Sequence, residues 1–131
     1  MSYRAETNGI IVTVEPRYLS DQSDPSTNRF IWAYTVTIAN EGDVTVQLTG
    51  RTWNITDARG NVQNISGPGV IGEQPILKPG DSFIYTSGAP LPTSSGFMTG
   101  TYDMKTEGGD IFLAAIPVFS LDSPVATRVL N

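Results

Sequence analysis

A strict alternation of side chains over positions 29–40, "RFIWAYTVTIAN", limits how this chain can fold more than any other feature. Large apolar residues occupy one parity of this stretch: Phe30, Trp32, Tyr34, Val36 and Ile38. Because successive side chains of an extended strand point to opposite faces, the pattern predicts a strand with one buried face. The Asn-Glu-Gly that follows predicts a turn at the end of this strand.

The same period of two recurs along most of the chain. "GIIVTVEP" predicts an earlier strand, and "ILKPGDSFIYTSG" predicts a turn at Pro79-Gly80 followed by a strand over residues 82–87. No segment shows helical spacing with caps over ten residues. Glycine (13 residues) and proline (9 residues) separate the short strands. The residues therefore predict one all-β domain, an antiparallel sandwich or a barrel.

Three positions predict interruptions of these strands. The inward parity changes from even to odd around Gly50, which predicts a bulge or a crossing to the second sheet. Gly100 predicts a bulge, and Pro117 predicts an edge or a bulge, in a last hairpin around "EGGD". We expect the core to span about residues 8–122, with loosely held tails on either side of it.

Composition excludes several classes of function. The chain has no histidine and no cysteine, which excludes a Ser-His-Asp triad, a thiol nucleophile and a standard zinc site. Only a hard-cation site remains open, and we interpret Asp103, Glu107 and Asp110 as a solvated acidic turn instead. A net charge of −5 argues against nucleic-acid binding. Without a signal peptide or an apolar span, we expect a cytoplasmic protein with no membrane contact.

"GPGVIG", residues 67–72, raises the question of phosphate binding. Gly67, Gly69 and Gly72 fit G-x-G-x-x-G, the spacing of a dinucleotide-binding loop. That loop requires a helix after its last glycine, whereas "EQPILKPGD" contains two prolines and has no helical period. Pro68 also removes one amide donor, and no Lys-Ser or Lys-Thr pair follows to make a Walker loop. A Rossmann or P-loop site is therefore disfavoured.

Two interpretations of the glycines remain open. In the structural one, which we favour, they let the chain cross from one sheet to the other. In the ligand-binding one, successive amides form an anion-binding nest, with Arg51 and Lys78 as countercharges. Arg51 also lies two residues before Trp53; we interpret Arg51 as a solvated side chain and Trp53 as a core residue.

Longer stretches of the chain resemble the bacterial ApaG family. The most specific are "AYTVTI", "LTGRTW", "GPGVIGEQPILKPG", "YTSG" and "MTGTYDM", and the resemblance covers nearly the whole chain. It implies a fibronectin type III-like or immunoglobulin-like sandwich of about seven strands. The number of strands expected from periodicity agrees with it.

The resemblance also implies a function. The family has no established enzymatic activity, its bacterial members are linked to cobalt resistance and magnesium efflux, and related domains in larger eukaryotic proteins look like protein-interaction modules. We therefore expect a non-catalytic protein that binds an unidentified protein partner, without catalytic residues and without a cofactor other than an unproven divalent cation. The alternative is a small-ligand sensor that binds pyrophosphate or a nucleotide at the glycine motif. An enzyme is a more distant alternative, because catalysis would rest on carboxylates, Tyr, Lys or a metal.

Overall fold

Two antiparallel sheets pack face to face in the computed structural model, which describes residues 1–124. In chain order the strands are β1 (Tyr3–Thr7), β2 (Ile10–Tyr18), β3 (Phe30–Asn40), β4 (Val46–Asp57), β5 (Val62–Pro68), β6 (Ile76–Leu77), β7 (Ser82–Leu91), β8 (Ser95–Thr106) and β9 (Ile111–Asp122). Two short 3-10 helices, Ser20–Gln22 and Pro25–Thr27, lie between β2 and β3. One sheet has the order β1-β2-β3-β7 and the other has the order β5-β4-β8-β9, with β6 paired to the start of β4. The predicted all-β sandwich is confirmed.

Strand β3 occupies the centre of its sheet, between β2 and β7. Its five large apolar residues of even number are all buried, as their alternation predicts. They meet the aromatic residues of the other sheet: the ring of Tyr34 lies edge-on to that of Trp53, with centroids 5.2 Å apart. Trp53 in turn lies edge-on to Phe119, with centroids 6.0 Å apart. The core is therefore an aromatic layer between the two sheets.

The predicted interruptions of the strands are bulges. The register of β4 against β8 shifts between Leu48 and Gly50, so inward residues change from even to odd within one strand, and β4 does not cross to the other sheet. The register of β8 against β9 shifts after Met98, opposite Pro117. A side chain on Gly100 would overlap the carbonyl oxygen of Thr52, so this bulge needs glycine.

Residues 1–124 form nine strands, where about seven are expected. One additional strand is the two-residue β6, and the other is β1, which the sequence assigns to a loosely held tail. β1 pairs along its whole length with β2, and the ring of Tyr3 packs 6.1 Å from that of Phe119. The expectation for the N-terminal residues is therefore wrong, because Tyr3 supplies apolar surface that the second sheet covers. The C-terminal residues 125–131 lie outside the described part.

The two sides of the sandwich differ. On one side β9 packs against β1 and β2, and the backbone N–H of Ala115 donates to Thr7 Oγ1 at 3.0 Å. On the opposite side the edge strands are β5 and β7, and a cleft of about 350 Å³ lies between them. The candidate site lies on this open side. No helix within residues 1–124 combines the length and the hydropathy needed to cross a bilayer.

Candidate functional site

The glycine motif, residues 67–72, starts in β5 and leads to β6 along the same edge of β4. The N–H of Gly69 donates to the carbonyl of Thr49 at 2.9 Å, and the N–H of Leu48 donates to the carbonyl of Pro75 at 3.0 Å. Both ends of the loop are therefore tied to adjacent residues of β4. The predicted crossing between sheets at the glycines is wrong. The chain changes sheet after β6, in the turn over residues 78–81.

Residues 70–73 form a tight turn at the tip of this loop. The N–H of Val70 donates to the carbonyl of Glu73 at 2.8 Å, and the N–H of Glu73 donates back to the carbonyl of Val70 at 2.9 Å. The two central residues, Ile71 and Gly72, both have positive φ, 42° and 80°. This is the pattern of a type I′ turn, which glycine adopts freely and a β-branched residue adopts only under strain. Ile71 is therefore a strained residue at the tip of the loop.

Each glycine of the motif meets a different local requirement. A Cβ on Gly67 would lie 2.9 Å from Arg51 Nη1, so a larger residue there would displace the end of that flexible side chain. Gly69 has a φ of 61°, and a Cβ there would overlap the carbonyl oxygen of Glu73. Gly72 provides positive φ and faces open space. The G-x-G-x-x-G spacing therefore has a structural explanation.

Several donors of the supposed nest are already used inside the protein. The amides of Gly69 and Val70 donate to carbonyl groups, and Pro68 has no N–H. Nest binding requires neighbouring N–H groups that converge on one anion. The nest stays a prediction, with fewer donors than the spacing suggests.

Arg51 lies on the inward face of β4, with the same parity as Trp53 and Ile55. It is half-buried, and Nη1 donates to the carbonyl oxygens of Pro68 and Gly69, both at 3.1 Å. Within residues 1–124, no carboxylate lies within 4.0 Å of its guanidinium. The interpretation of Arg51 as an ordinary solvated side chain is therefore wrong, whereas Trp53 is a core residue as predicted.

The cleft beside Arg51 combines apolar and polar walls. Its apolar lining includes Trp53, Ile55, Ile65, Val70, Ile71 and Met98. Its polar lining includes Tyr34, Gln63, Tyr85 and Ser87. None of these four polar residues is predicted from the sequence to belong to a site. Tyr34 could have been identified from the sequence, because it lies on the buried face of its strand, where a hydroxyl needs a polar partner.

The tyrosine hydroxyls near the cleft stay protonated. Burial raises the pKa of Tyr34, Tyr85 and Tyr102, while the positive charge of Arg51 acts in the opposite direction on all three. The hydroxyls of Tyr85 and Tyr102 share a buried hydrogen bond of 2.5 Å. Among the described residues, the cleft is therefore lined by one permanent cation, Arg51, and by tyrosines whose hydroxyls are neutral.

The structure brings Arg51, Gly67 and Gly69 together but does not add Lys78 to the group. Lys78 is exposed in the turn before β7, where its backbone N–H donates to Asp81 Oδ2 at 3.0 Å. It is not among the residues that line the cleft. No group of three or more acidic side chains in residues 1–124 is arranged to hold a metal ion.

Fold and site together define a fibronectin-like β-sandwich with one open side, and the comparisons with known proteins agree. Residues 20–106 match the family model of the ApaG domain (DUF525). The chain belongs to the ApaG domain family, as the resemblance implies.

Relatives of similar length support this assignment. Protein ApaG of Paramagnetospirillum magneticum is 61% identical over 129 residues, covering 98% of this chain and 99% of that protein. Protein ApaG of Beijerinckia indica is 58% identical with the same coverage. A crystal structure of a Bordetella pertussis protein described as ApaA superposes with a TM-score of 0.86 at 48% identity, covering 88% of this chain and 94% of that one.

Proposed function

We propose that this ApaG domain protein is a non-catalytic, cytoplasmic interaction module that binds an extended segment of a partner protein along β7. The observation that carries the proposal is that β7 is a ten-residue edge strand, "SFIYTSGAPL", without a single charged residue. An edge strand exposes unpaired backbone groups, and proteins usually protect such an edge with charges, proline or a covering element. A partner strand that pairs with these groups would extend the sheet.

The other edge of the same sheet has the usual protection. β1 is five residues long and carries Arg4 and Glu6, which form an ion pair of 3.7 Å. On β7 the corresponding protection is limited to Pro90 near its end, and Ile84, the third residue of the strand, is 62% exposed. Within this sheet, the asymmetry supports β7 rather than β1 as the binding edge.

The proposed link to cobalt resistance and magnesium efflux acts through the partner protein. The motivation is that the described residues contain no group of three or more ligands arranged for a metal ion. The non-catalytic part of the proposal is motivated by the absence of His and Cys from the whole chain.

A matched pair of variants tests the binding edge. Ile84→Lys places a charge on β7, and Ile111→Lys makes the same change at a 74% exposed isoleucine on β9, on the other side of the sandwich. We expect partner recovery from a cell extract at physiological concentration to fall about tenfold for Ile84→Lys, since one charge against a paired strand costs on the order of 1 kcal/mol. Ile111→Lys should bind like the wild type. Equal recovery by both variants, or no partner at all, would refute the proposal.

A second candidate function is a small-ligand sensor at the glycine motif. It is favoured by one observation: Arg51 places a cation directly against the loop, through its bonds to the carbonyls of Pro68 and Gly69. Calorimetry with pyrophosphate, ATP and diadenosine tetraphosphate, with and without Mg²⁺, tests it. Gly72→Ala tests whether the loop takes part in binding, because its Cβ would meet nothing within 4 Å and only the positive φ of residue 72 opposes it. Absence of binding below millimolar concentration contradicts this candidate.

A further inference from the structure

Arg51 is an incompletely paired cation in a partly desolvated position. Two of its five N–H donors are used by the loop carbonyls, and the other three donate to no residue that the structure describes. A half-buried guanidinium without a carboxylate loses hydration that the two loop carbonyls replace only in part. Its planar fork matches a carboxylate, which can accept two parallel hydrogen bonds.

The surroundings of Arg51 indicate what kind of anion fits. The cleft is about 350 Å³, within the range of small-molecule sites, and Trp53, Ile65 and Ile71 give it an apolar wall. A nucleotide or pyrophosphate would bring several negative charges to one cation and to an apolar wall, which is unfavourable. A single charge with an apolar body suits the cleft better.

The glycine loop keeps part of this apolar lining in place through a strained backbone conformation. Ile71, which lines the cleft, keeps a positive φ although it is β-branched, and its side chain is 57% exposed. A strained residue that presents an exposed apolar side chain to a cleft is typical of a ligand-binding position. Gly67 lies against the same cation, because a Cβ there would displace the end of the Arg51 side chain.

We infer that the cleft binds a small organic carboxylate, whose carboxylate pairs with Arg51 and whose flat or branched apolar body lies among Trp53, Ile65 and Ile71. This inference deepens the second candidate function, since it rests on a ligand at the same loop. In this inference the anion is bound by the Arg51 side chain and not by a nest of backbone amides. The ligand carries a single negative charge and is not a polyphosphate. The inference does not depend on partner binding along β7.

The test uses four probes that separate charge from apolar body: phenylacetate, acetate, the neutral phenylacetamide, and pyrophosphate. Calorimetry gives affinities, and amide chemical shifts of Gly69, Val70 and Ile71 locate the bound probe. We expect phenylacetate to bind and to shift these amides, and acetate and phenylacetamide to bind at least about tenfold more weakly, because each lacks one of the two contacts.

Two charge-matched variants identify the cation. Arg51→Met should weaken phenylacetate binding by about 10- to 100-fold, the usual value of a hydrogen bond to a charged group. Lys78→Met removes the same charge from the exposed turn outside the cleft and should leave the affinity unchanged. If Arg51→Met does not fold, Ser87→Leu, which narrows the cleft from β7 and keeps Arg51, should reduce binding instead.

The outcomes separate the hypotheses. Binding of phenylacetate that survives Arg51→Met, or that survives Ser87→Leu where Arg51→Met does not fold, overturns the inference, as does equal binding of phenylacetamide. Binding of pyrophosphate alone overturns it while keeping the second candidate function. If no probe binds, the inference fails; the second candidate also fails if ATP and diadenosine tetraphosphate do not bind, and the interaction module is unaffected.

Discussion

Alanine at Gly69 should destabilise the protein far more than alanine at Gly72, although both glycines have positive φ in the same loop. The difference lies in what a new Cβ meets. At Gly72 it meets nothing within 4 Å, whereas at Gly69 it overlaps the carbonyl oxygen of Glu73. That carbonyl accepts the hydrogen bond from Val70 that closes the turn, so it cannot move without opening the turn.

The magnitudes follow from these two environments. A left-handed alanine costs about 1–2 kcal/mol relative to glycine, which is the whole expected effect at Gly72. Gly69→Ala adds an overpacking cost of about 1–3 kcal/mol, for a total of roughly 2–5 kcal/mol. For a domain of this size, 1 kcal/mol lowers the melting temperature by about 4 °C. The melting temperature should therefore fall by about 4–8 °C for Gly72→Ala and by about 8–20 °C for Gly69→Ala.

Urea unfolding followed by tryptophan fluorescence measures both free energies. Gly60→Ala is a matched control in another turn, because Gly60 also has positive φ and open space around it, and it should behave like Gly72→Ala. The steric argument is refuted if Gly69→Ala lowers the free energy of unfolding no more than Gly72→Ala and Gly60→Ala do. The overlap of the new Cβ with the Glu73 carbonyl would then have no energetic cost.

Three further predictions concern buried polar groups. Asn40→Ala should cost about 3 kcal/mol in urea unfolding, since it orphans three backbone groups near the start of β4, and Asn40→Asp should not restore the stability. Tyr85→Phe or Tyr102→Phe alone should cost about 1–3 kcal/mol, whereas the double variant should cost clearly less than the sum in a double-mutant cycle, because it leaves no buried hydroxyl without its partner. Burial acts to raise the pKa of Asp57, but hydrogen bonds from backbone amides outweigh it and hold the pKa below its ordinary value of 3.8. The ionised form therefore stabilises the native state above that pH, and the stability advantage of the wild type over Asp57→Asn should shrink as the pH falls below 3.8; an advantage that grows towards acid would contradict this.

The fold could be predicted where burial imposes a period on the chain. The alternation in β3 and the parity change at Gly50 both reflect which side chains face the aromatic core, and both are confirmed. β1 could not be predicted in the same way, because none of its side chains is fully buried and its one large apolar residue is Tyr3. Its pairing depends on β2 and on the neighbouring surface of β9, which are tertiary features.

The site was only partly predictable for a related reason. The odd inward parity at Trp53 already places Arg51 inward, but the sequence does not show that a cleft stays open there. Gly67 makes room for Arg51 because the two residues are directly opposite each other in the β4–β5 pair. A requirement that arises from a cross-strand neighbour cannot be read from the spacing of the glycines themselves.

The glycine loop has a consequence for how the protein avoids self-association. β5 and β6 pair with the same edge of β4. Without the loop between them they would form one continuous edge strand, with which a strand of a second molecule could pair. The glycine loop limits the straight part of this sheet edge to the seven residues of β5. It also places the protruding turn at residues 70–73 next to that edge. Sheets that end in long, flat, uncharged borders tend to stack into fibrils. The turn therefore interrupts an edge to which a second molecule could otherwise add strands, and so protects the protein against self-association.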